Sequence, residues 1–355
     1  MLREIKLKNF RNYDSAEVEF NSDLVLILGN NASGKTNLIE SIYFLSNLSS
    51  FRSPDNLLAK REEDYFRINA VYGERQLEAV VQTQPMLKRQ FKIDDQKIKR
   101  LAWSAFETVL FAPTDLNIFS LGPSLRRKYL NETLSQKHKS YAADLASLEH
   151  VLKQRAALLV MMSKGLAQDF QLDFWNHELA NLSLRISNAR REFIEFIKKE
   201  FALTYNNISE FSGEFEITYK GLSAETTTEE FIKLLNEHRE AEVRSGTNLI
   251  GPHRDDLIIN KDGVLNIYNS SRGELRSQIL AIKLLQAKYL STTETKPVIL
   301  LDDVFSELDD MRRNRLLESL VGHQIFITTT EESHLPKFEK PHQTVRVVDG
   351  IISNI

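Results

Sequence analysis

The chain has 355 residues and contains no cysteine. Disulfide bonds, zinc sites built from cysteine and thiol chemistry are therefore excluded. The formal net charge is only −3, so a surface for an anionic partner has to be a local patch. No apolar run approaches the roughly 20 residues that cross a bilayer, and the first residues lack the apolar core of a signal peptide. We therefore expect a soluble, cytoplasmic protein without a membrane partner, built from one large or two medium-sized domains.

A glycine-rich run after a predicted strand matches the phosphate-binding pattern G-x-x-x-x-G-K-[ST] at every fixed position. An apolar segment (24–28) precedes it and a helix-like segment (37–45) follows, which disfavours a glycine-rich turn that binds nothing. The side chain of Lys35 suits the β- and γ-phosphates of a nucleoside triphosphate, and the Thr36 hydroxyl suits Mg²⁺. The predicted nucleotide contacts are Gly29, Asn30, Asn31, Ala32, Ser33, Gly34, Lys35 and Thr36.

A second apolar run, 297–301, ends in Asp302 and Asp303. Its composition predicts a buried parallel strand, and ligands of open α/β sheets bind where such strands end. We expect Asp302 to hold Mg²⁺ from a strand neighbouring the phosphate loop, and Asp303 to orient or deprotonate the attacking water. An ordinary strand end is the alternative. Most of the chain separates this segment from the phosphate loop, which indicates a large insertion between two halves of one ATPase domain.

Two further segments flank the second strand. Ser271, Gly273 and Glu274 open a predicted helix in the pattern S-x-G-[QE], which is both an N-terminal cap and the form of an ABC-type signature. The segment 306–309 is similar to the D-loop that follows the strand in that class. The strand 324–328 then leads to the position of the switch residue, without the histidine common in transporters.

With these elements in order, the chain resembles the RecF family of bacterial recombination mediators, in the ABC/SMC group of ATPases. The resemblance covers nearly the whole length. Its more specific marks are GPSLRRKYL from Gly122 and GPHRDDL from Gly251, together with LKNFRNY from Leu7, SFR from Ser50, FAPTDL from Phe111 and LLDDVFSELD from Leu300. Asp303 departs from the glutamate of many ABC and SMC enzymes, in agreement with slow hydrolysis.

The resemblance implies an α/β fold: an ABC-type ATPase head, with a mixed sheet and flanking helices, and an inserted, mainly helical second lobe. The expected division is an N-terminal half of the ATPase lobe at 1–122, the inserted lobe at 123–246 and the C-terminal half at 247–355. Apolar residues at heptad spacing, broken only by Arg155, predict two helices packed as an antiparallel hairpin, joined near 163–170.

The resemblance also implies how such a protein works. ATP and Mg²⁺ would drive a head-to-tail homodimer, in which Ser271, Gly273 and Glu274 of one chain complete the site built by Lys35, Thr36 and Asp302 of the other. Arg11 would approach the nucleotide, although an exposed arginine on a turn is the alternative. The expected activity is a weak, DNA-stimulated ATPase of DNA replication, repair and the SOS response. It would close on single-strand gap junctions and, with the partners RecR and RecO, help to load recombinase.

Basic residues form two clusters, one on a predicted hairpin and one on the first helix of the insertion. Such clusters contact DNA phosphates without reading sequence, but they are as often merely solvated. The candidate contacts to gapped, single- or double-stranded DNA are Lys88, Arg89, Lys97, Lys99, Arg100, Arg126, Arg127 and Lys128.

The segment from His253 to Asp256 permits a metal site, but a polar network that supports the signature helix is the more ordinary interpretation. The alternative function is an ABC-type ATPase that powers a separate effector, such as a nuclease or a transporter. No nuclease motif supports the first, and the missing switch histidine disfavours the second.

Overall fold

The computed structural model of the protein describes residues 1–211, 213–330 and 341–354. The chain divides into two compact units. Unit 1 consists of residues 1–115, 203–210 and 276–355, and unit 2 consists of residues 116–202 and 211–275. The division predicted from sequence instead places the lobe boundaries after residues 122 and 246. It assigns the whole signature helix to the ATPase lobe, whereas the first residues of that helix lie in unit 2. The predicted division stays a prediction.

The described residues of unit 1 form two six-stranded sheets. The first has the strand order β2-β1-β4-β5-β6-β7, and every neighbouring pair in it is antiparallel. Its strands are β1 (Leu2–Phe10), β2 (Tyr13–Glu19), β4 (Tyr65–Tyr72), β5 (Arg75–Gln82), β6 (Lys88–Ile93) and β7 (Gln96–Ile98). Along β5, buried positions alternate with partly exposed ones, so one face of this sheet is packed and the other is more open to solvent.

The second sheet has the order β15-β14-β3-β13-β12-β8 and is mixed, since only the β14–β15 pair is antiparallel. Its strands are β3 (Leu24–Leu28), β8 (Thr108–Phe111), β12 (Val298–Asp302), β13 (Ile325–Thr329), β14 (Gln343–Val348) and β15 (Ile351–Asn354). Every residue of β12 and β13 is buried, as expected for central strands covered on both faces.

Helix α1 (Lys35–Asn47) shares one apolar core with residues of both sheets. Leu38, Ile39, Ile42 and Phe44 of this helix are all fully buried. A helix that is buried on more than one side does not have the polar stripe of a surface helix. This packing fixes the position of α1, and with it the helix start at the phosphate loop. The remaining helices with residues in unit 1 are α9 (Asp310–Ser319) and parts of α5 and α8.

Unit 2 is mainly helical, with one three-stranded antiparallel sheet in the order β11-β10-β9. Its helices are α2 (Asn117–Ser120), α3 (Pro123–Lys137), α4 (Lys139–Ser163), α6 (Thr228–Glu237) and α7 (Arg239–Ser245), with most of α5 (Asp173–Ile208) and the start of α8 (Arg272–Leu290). Its strands are β9 (Phe215–Lys220), β10 (Asp256–Lys261) and β11 (Val264–Leu265).

Helices α4 and α5 form the predicted antiparallel hairpin. Asp144 pairs with Arg185 at 2.7 Å near one end, while the rings of His150 and Trp175 are 5.8 Å apart further along. Arg155, the break in the heptad pattern, is buried and pairs with Glu242 at 2.7 Å. A buried ion pair therefore occupies one core position of the heptad pattern, which explains why a charged residue interrupts the apolar spacing there.

Candidate nucleotide-binding site

The phosphate loop connects β3 to α1, as the sequence predicts for this motif. Two of its residues have positive φ, Ala32 at 64° and Gly34 at 124°. A Cβ at Gly34 would lie 2.9 Å from side-chain atoms of Asn12 and Tyr13, and one at Gly29 would lie 2.2 Å from the carbonyl oxygen of Val347. Both glycines are therefore required by close approach, at Gly34 also by backbone conformation.

Side chains of the β1–β2 turn hold the loop from outside. The Tyr13 hydroxyl donates to the Gly34 carbonyl at 2.9 Å, and the Asn12 amide donates to the Ser33 carbonyl at 2.9 Å. These bonds satisfy carbonyl oxygens, so the loop can turn its N–H groups inward. No side chain of the described residues caps the first turn of α1, which leaves the helix N-terminus available to an anion.

Lys35 lies at this N-terminus with little solvent exposure. Its ammonium group donates to the carbonyl oxygens of Gly29 at 2.7 Å and Asn30 at 2.9 Å. Burial lowers the pKa of Lys35, while the carboxylates of Asp302 and Asp303 act in the opposite direction. The positive charge is thus placed inside the loop, where a phosphate group would replace the carbonyl oxygens as its partner.

Asp302 ends β12 and accepts hydrogen bonds from two hydroxyl groups, one of the phosphate loop and one of β13. Its Oδ1 accepts from Thr36 Oγ1 at 2.9 Å and from Thr328 Oγ1 at 2.9 Å. Burial raises the pKa of Asp302, and the two hydroxyl donors act against that rise. One detail of the sequence prediction is wrong: β12 does not neighbour β3, because β13 lies between them and contributes Thr328.

These groups fit a magnesium ion. The Thr36 hydroxyl and the Asp302 carboxylate are hard oxygen donors 2.9 Å apart. Mg²⁺ prefers such ligands, and it usually binds one or two carboxylates together with water and substrate phosphates. Thr36 and Asp302 would hold the ion, which would neutralise charge on the phosphate oxygens when bound.

Asp303 is exposed and lines a cavity of about 240 Å³ together with residues of the phosphate loop. Its φ of 53° is in the left-handed region, and its backbone N–H donates to Thr328 Oγ1 at 2.9 Å. Strain of this kind persists where surrounding structure fixes it. Asp303 therefore lies at the cavity that Lys35 and Thr36 also line.

Sequence reasoning missed several residues of this site. From the sequence, Thr328 is identified only as the end of a strand. The signal that could have identified it as a site residue is its position: a polar residue at the end of a buried strand. Arg52 lines the same cavity, but from the sequence it is identified only as part of the SFR motif of the family resemblance. Asn12 and Tyr13 likewise were only part of a motif. No local pattern shows that the β1–β2 turn touches the phosphate loop.

Arg11 lies beside the loop, at a second cavity of about 550 Å³. Its guanidinium group donates to the Leu57 carbonyl at 3.0 Å and to the buried carboxylate of Glu40. Arg11 is therefore held by the protein and is not a free surface charge. Arg52 and Asn37 line both cavities.

The signature residues open α8 as a capping box. The Ser271 backbone N–H donates to Glu274 at 2.8 Å, and the Glu274 N–H donates to the Ser271 hydroxyl at 3.3 Å. Lys261 pairs with the Glu274 carboxylate. A Cβ at Gly273 would have its nearest contact among the described residues at 3.8 Å, with Phe211, which is an ordinary van der Waals distance. The D-loop residue Asp309 caps α9, where it accepts from the Arg312 N–H at 2.9 Å.

The basic clusters differ in how much of their charge is engaged. Lys88, Lys97, Lys99 and Arg100 are exposed on or beside the β6–β7 hairpin, and Lys128 is exposed on α3. Arg89 of the same hairpin pairs with Asp55 at 2.8 Å. Two candidates on α3 are engaged inside unit 2: Arg126 pairs with Asp256 at 2.7 Å, and Arg127 donates to the Asp255 carbonyl at 2.9 Å.

The segment from His253 to Asp256 is a polar network. Asp255 accepts from Arg190 at 2.9 Å and from the Tyr219 hydroxyl, and His253 Nε2 lies 3.0 Å from the Asn248 carbonyl. Among the residues that the structure describes, no group of three or more histidine, aspartate or glutamate side chains could hold a metal ion. No described helix has the length and apolar content of a membrane span.

Comparison with known proteins identifies the family. The model of the RecF/RecN/SMC N terminal domain matches residues 1–353. DNA replication and repair protein RecF of Bacillus thuringiensis (strain Al Hakam) is 32% identical over an alignment of 369 positions, which covers 99% of this chain and 98% of that protein. The RecF of Bacillus anthracis (strain CDC 684 / NRRL 3495) matches with the same identity and coverage. The chain belongs to the RecF family.

Solved RecF structures share this fold. The recombination mediator RecF-ATPrS of the RecFOR pathway has a TM-score of 0.91 and 32% identity, covering 100% of this chain and 98% of that one. RecF-ATP of the same pathway has a TM-score of 0.90, with 97% of that chain covered. An Smc head bound to the C-winged helix domain of ScpA is 16% identical with a TM-score of 0.57, and shares the fold alone. The predicted ABC/SMC-type α/β fold with its helical hairpin is confirmed.

Replacement of Asp302 by asparagine is expected to stabilise the nucleotide-free protein at neutral pH. Burial raises the folded-state pKa of Asp302. The ionised carboxylate therefore opposes folding fully above that pKa, and this cost decreases as the pH falls from there to the ordinary pKa of an unfolded aspartate. Asparagine removes the charge, and its carbonyl oxygen can still accept from both threonines. Urea unfolding at pH 7 and below pH 4 measures the effect, with exposed Asp310→Asn as the control. Lower stability of Asp302→Asn at pH 7 would contradict this account.

Proposed function

We propose that this protein is an ATP-dependent DNA-binding switch of DNA replication and repair. One observation carries the proposal: Lys35, Thr36, Asp302 and Asp303 meet at the phosphate loop, with Asp303 exposed to the cavity beside it. This arrangement supports binding of Mg-ATP and activation of a water molecule for slow hydrolysis. RecF relatives with ATP in their structures support the same nucleotide.

The proposed switch is a head-to-tail dimer. Ser271, Gly273 and Glu274 would present a helix N-terminus to the γ-phosphate bound by the phosphate loop of a second copy. Each chain has one phosphate loop and one signature, so two copies related by twofold symmetry would form two sites. Lys261 would offset the negative charge of Glu274. The Ser271 oxygen accepts from the Glu274 N–H, and the Ser271 hydroxyl would still donate its proton to the anion.

On unit 1, DNA phosphates would be held by the exposed residues Lys88, Lys97, Lys99 and Arg100; on unit 2, the exposed Lys128 is a separate candidate. Arg126 and Arg127 are not among the proposed contacts because their guanidinium groups have partners inside unit 2. Phosphate contacts position a protein without reading sequence. Gapped DNA is the proposed substrate, and the RecFOR pathway of the RecF relatives supports RecR and RecO as partners in recombinase loading.

Sedimentation velocity with and without Mg-ATP tests the dimer. The wild type is expected to dimerise only with Mg-ATP, and Ser271→Arg to remain monomeric because its side chain occupies the place of the γ-phosphate. Ser319→Arg, an exposed serine on α9, is the matched control. With gapped DNA present, the wild-type dimer should bind it, and the double variant Lys88→Glu/Lys97→Glu should not. A wild type that stays monomeric with Mg-ATP on DNA would overturn the proposed dimer.

A further inference from the structure

Glu40 of α1 is a fully buried carboxylate that the phosphate chemistry does not use. Arg11 binds it with two donors, Nε to Oε2 at 2.8 Å and Nη2 to Oε1 at 2.7 Å. Arg52 Nη2 donates to Oε2 at 2.6 Å, and the Ser50 hydroxyl donates to Oε1. One carboxylate therefore holds two guanidinium groups that come from separate segments of unit 1.

Glu40 is ionised in this arrangement. Burial alone would raise its pKa, but hydrogen bonds from Arg11, Arg52 and Ser50 outweigh that effect, so the pKa of Glu40 lies below its ordinary value. Since one negative charge faces two positive charges, the cluster carries a net positive charge. Without Glu40, the two guanidinium groups would repel each other, and each would be free to turn toward solvent.

The two arginines line the cavities at which the nucleotide would bind. Arg52 lines the phosphate cavity together with Lys35 and Thr36, and its Nη2 also contacts Asn37. Arg11 and Arg52 both line the second cavity, of about 550 Å³. Because Glu40 itself has no exposed surface, it can act on a ligand in these cavities only through the arginines.

We propose that Glu40 is a positioning residue for the nucleotide: it fixes Arg52, which lines both cavities, and Arg11, which lines the second, so that their guanidinium groups are ready to receive the anionic ligand. The inference rests on the proposed binding of ATP at the phosphate loop. A guanidinium group held in one orientation loses less conformational freedom when it binds an anion than one that must first be ordered. Glu40 thereby increases nucleotide affinity without touching the nucleotide.

Titration calorimetry with Mg-ATP tests this role on the full chain. Glu40→Gln keeps the shape of the side chain and removes its charge, and Glu40→Ala removes both. Each is expected to weaken ATP binding on the order of 10- to 100-fold, the loss typical when an outer-shell partner is removed. Glu40→Asp should recover part of the affinity. Ser41→Ala is the matched control, because Ser41 is equally buried in the same helix and donates only to the Leu38 carbonyl.

A double-mutant cycle separates positioning from general destabilisation. If Glu40 acts through the two arginines, adding Glu40→Ala to the double variant Arg11→Ala/Arg52→Ala should weaken ATP binding hardly further. Fully additive losses, or a loss in Ser41→Ala equal to that in Glu40→Gln, would overturn the inference. Wild-type affinity in Glu40→Ala would overturn it while leaving the proposed function intact. A wild type that does not bind Mg-ATP would overturn both.

Discussion

Lys35→Met is expected to lower the ATP hydrolysis rate by about 100- to 1,000-fold, the usual cost of removing one fixed donor to a developing charge. The Lys35 ammonium lies inside the phosphate loop, 2.7 Å from the Gly29 carbonyl oxygen. Burial lowers the pKa of Lys35. A bound phosphate would act in the opposite direction, because its negative charge favours the charged ammonium form. Methionine keeps the length and apolar volume of the side chain without the charge. Steady-state phosphate release and equilibrium ATP binding are the measurements.

The control for this variant is Lys6→Met, which removes a lysine whose side chain is 44% exposed on the first sheet. It should hydrolyse ATP at the wild-type rate, because an exposed ion pair contributes little. Lys35→Met should also fail to dimerise with Mg-ATP. Wild-type hydrolysis by Lys35→Met would show that the phosphate loop is not the catalytic site of this chain.

Asp303→Asn is expected to separate nucleotide binding from hydrolysis. The exposed Asp303 carboxylate faces the phosphate cavity, whereas Asp302 and Thr36 are the candidate ligands of Mg²⁺. Loss of a group that orients and deprotonates water typically costs 10²- to 10⁴-fold in rate. ATP affinity should stay within a few-fold of wild type, so the ATP-bound dimer should persist where the wild-type dimer decays.

Dimer lifetime by light scattering, together with single-turnover hydrolysis, measures this separation. Asp310→Asn is the matched control, because the Asp310 side chain is 92% exposed at the start of α9 and should change neither quantity. If Asp303→Asn lost ATP binding and hydrolysis together, Asp303 would be needed to build the site. If it hydrolysed ATP normally, another group would activate the water.

Much of the site could be predicted from sequence because its parts are local. The strand, loop and helix around Lys35 appear as an apolar run, a glycine pattern and a helical segment, and the structure has the same three elements. Asp302 could be paired with Thr36 across 266 positions only because both belong to recognisable motifs. The capping box at Ser271 and the helix hairpin of unit 2 are likewise local patterns, and both are present.

Other features could not be predicted because they depend on which segments become neighbours. The place of β13 between β3 and β12 gives Thr328 its role, and hydrophobic spacing does not determine strand order. Glu40 appears in the sequence as an ordinary polar residue of a predicted helix. Arg126 belongs to a charge run that resembles an exposed basic face, yet it pairs with Asp256.

The sequence by itself determined the family, the fold class and the ATP-type phosphate loop of this protein, because glycine conformation, helix capping and buried strands act over a few residues each. Only the tertiary structure decided which arginines are committed to internal carboxylates and which hydroxyls meet Asp302. The physical reason is that a charged or polar side chain is satisfied by whatever partner the packing brings within about 3 Å. In this chain those partners come from distant segments.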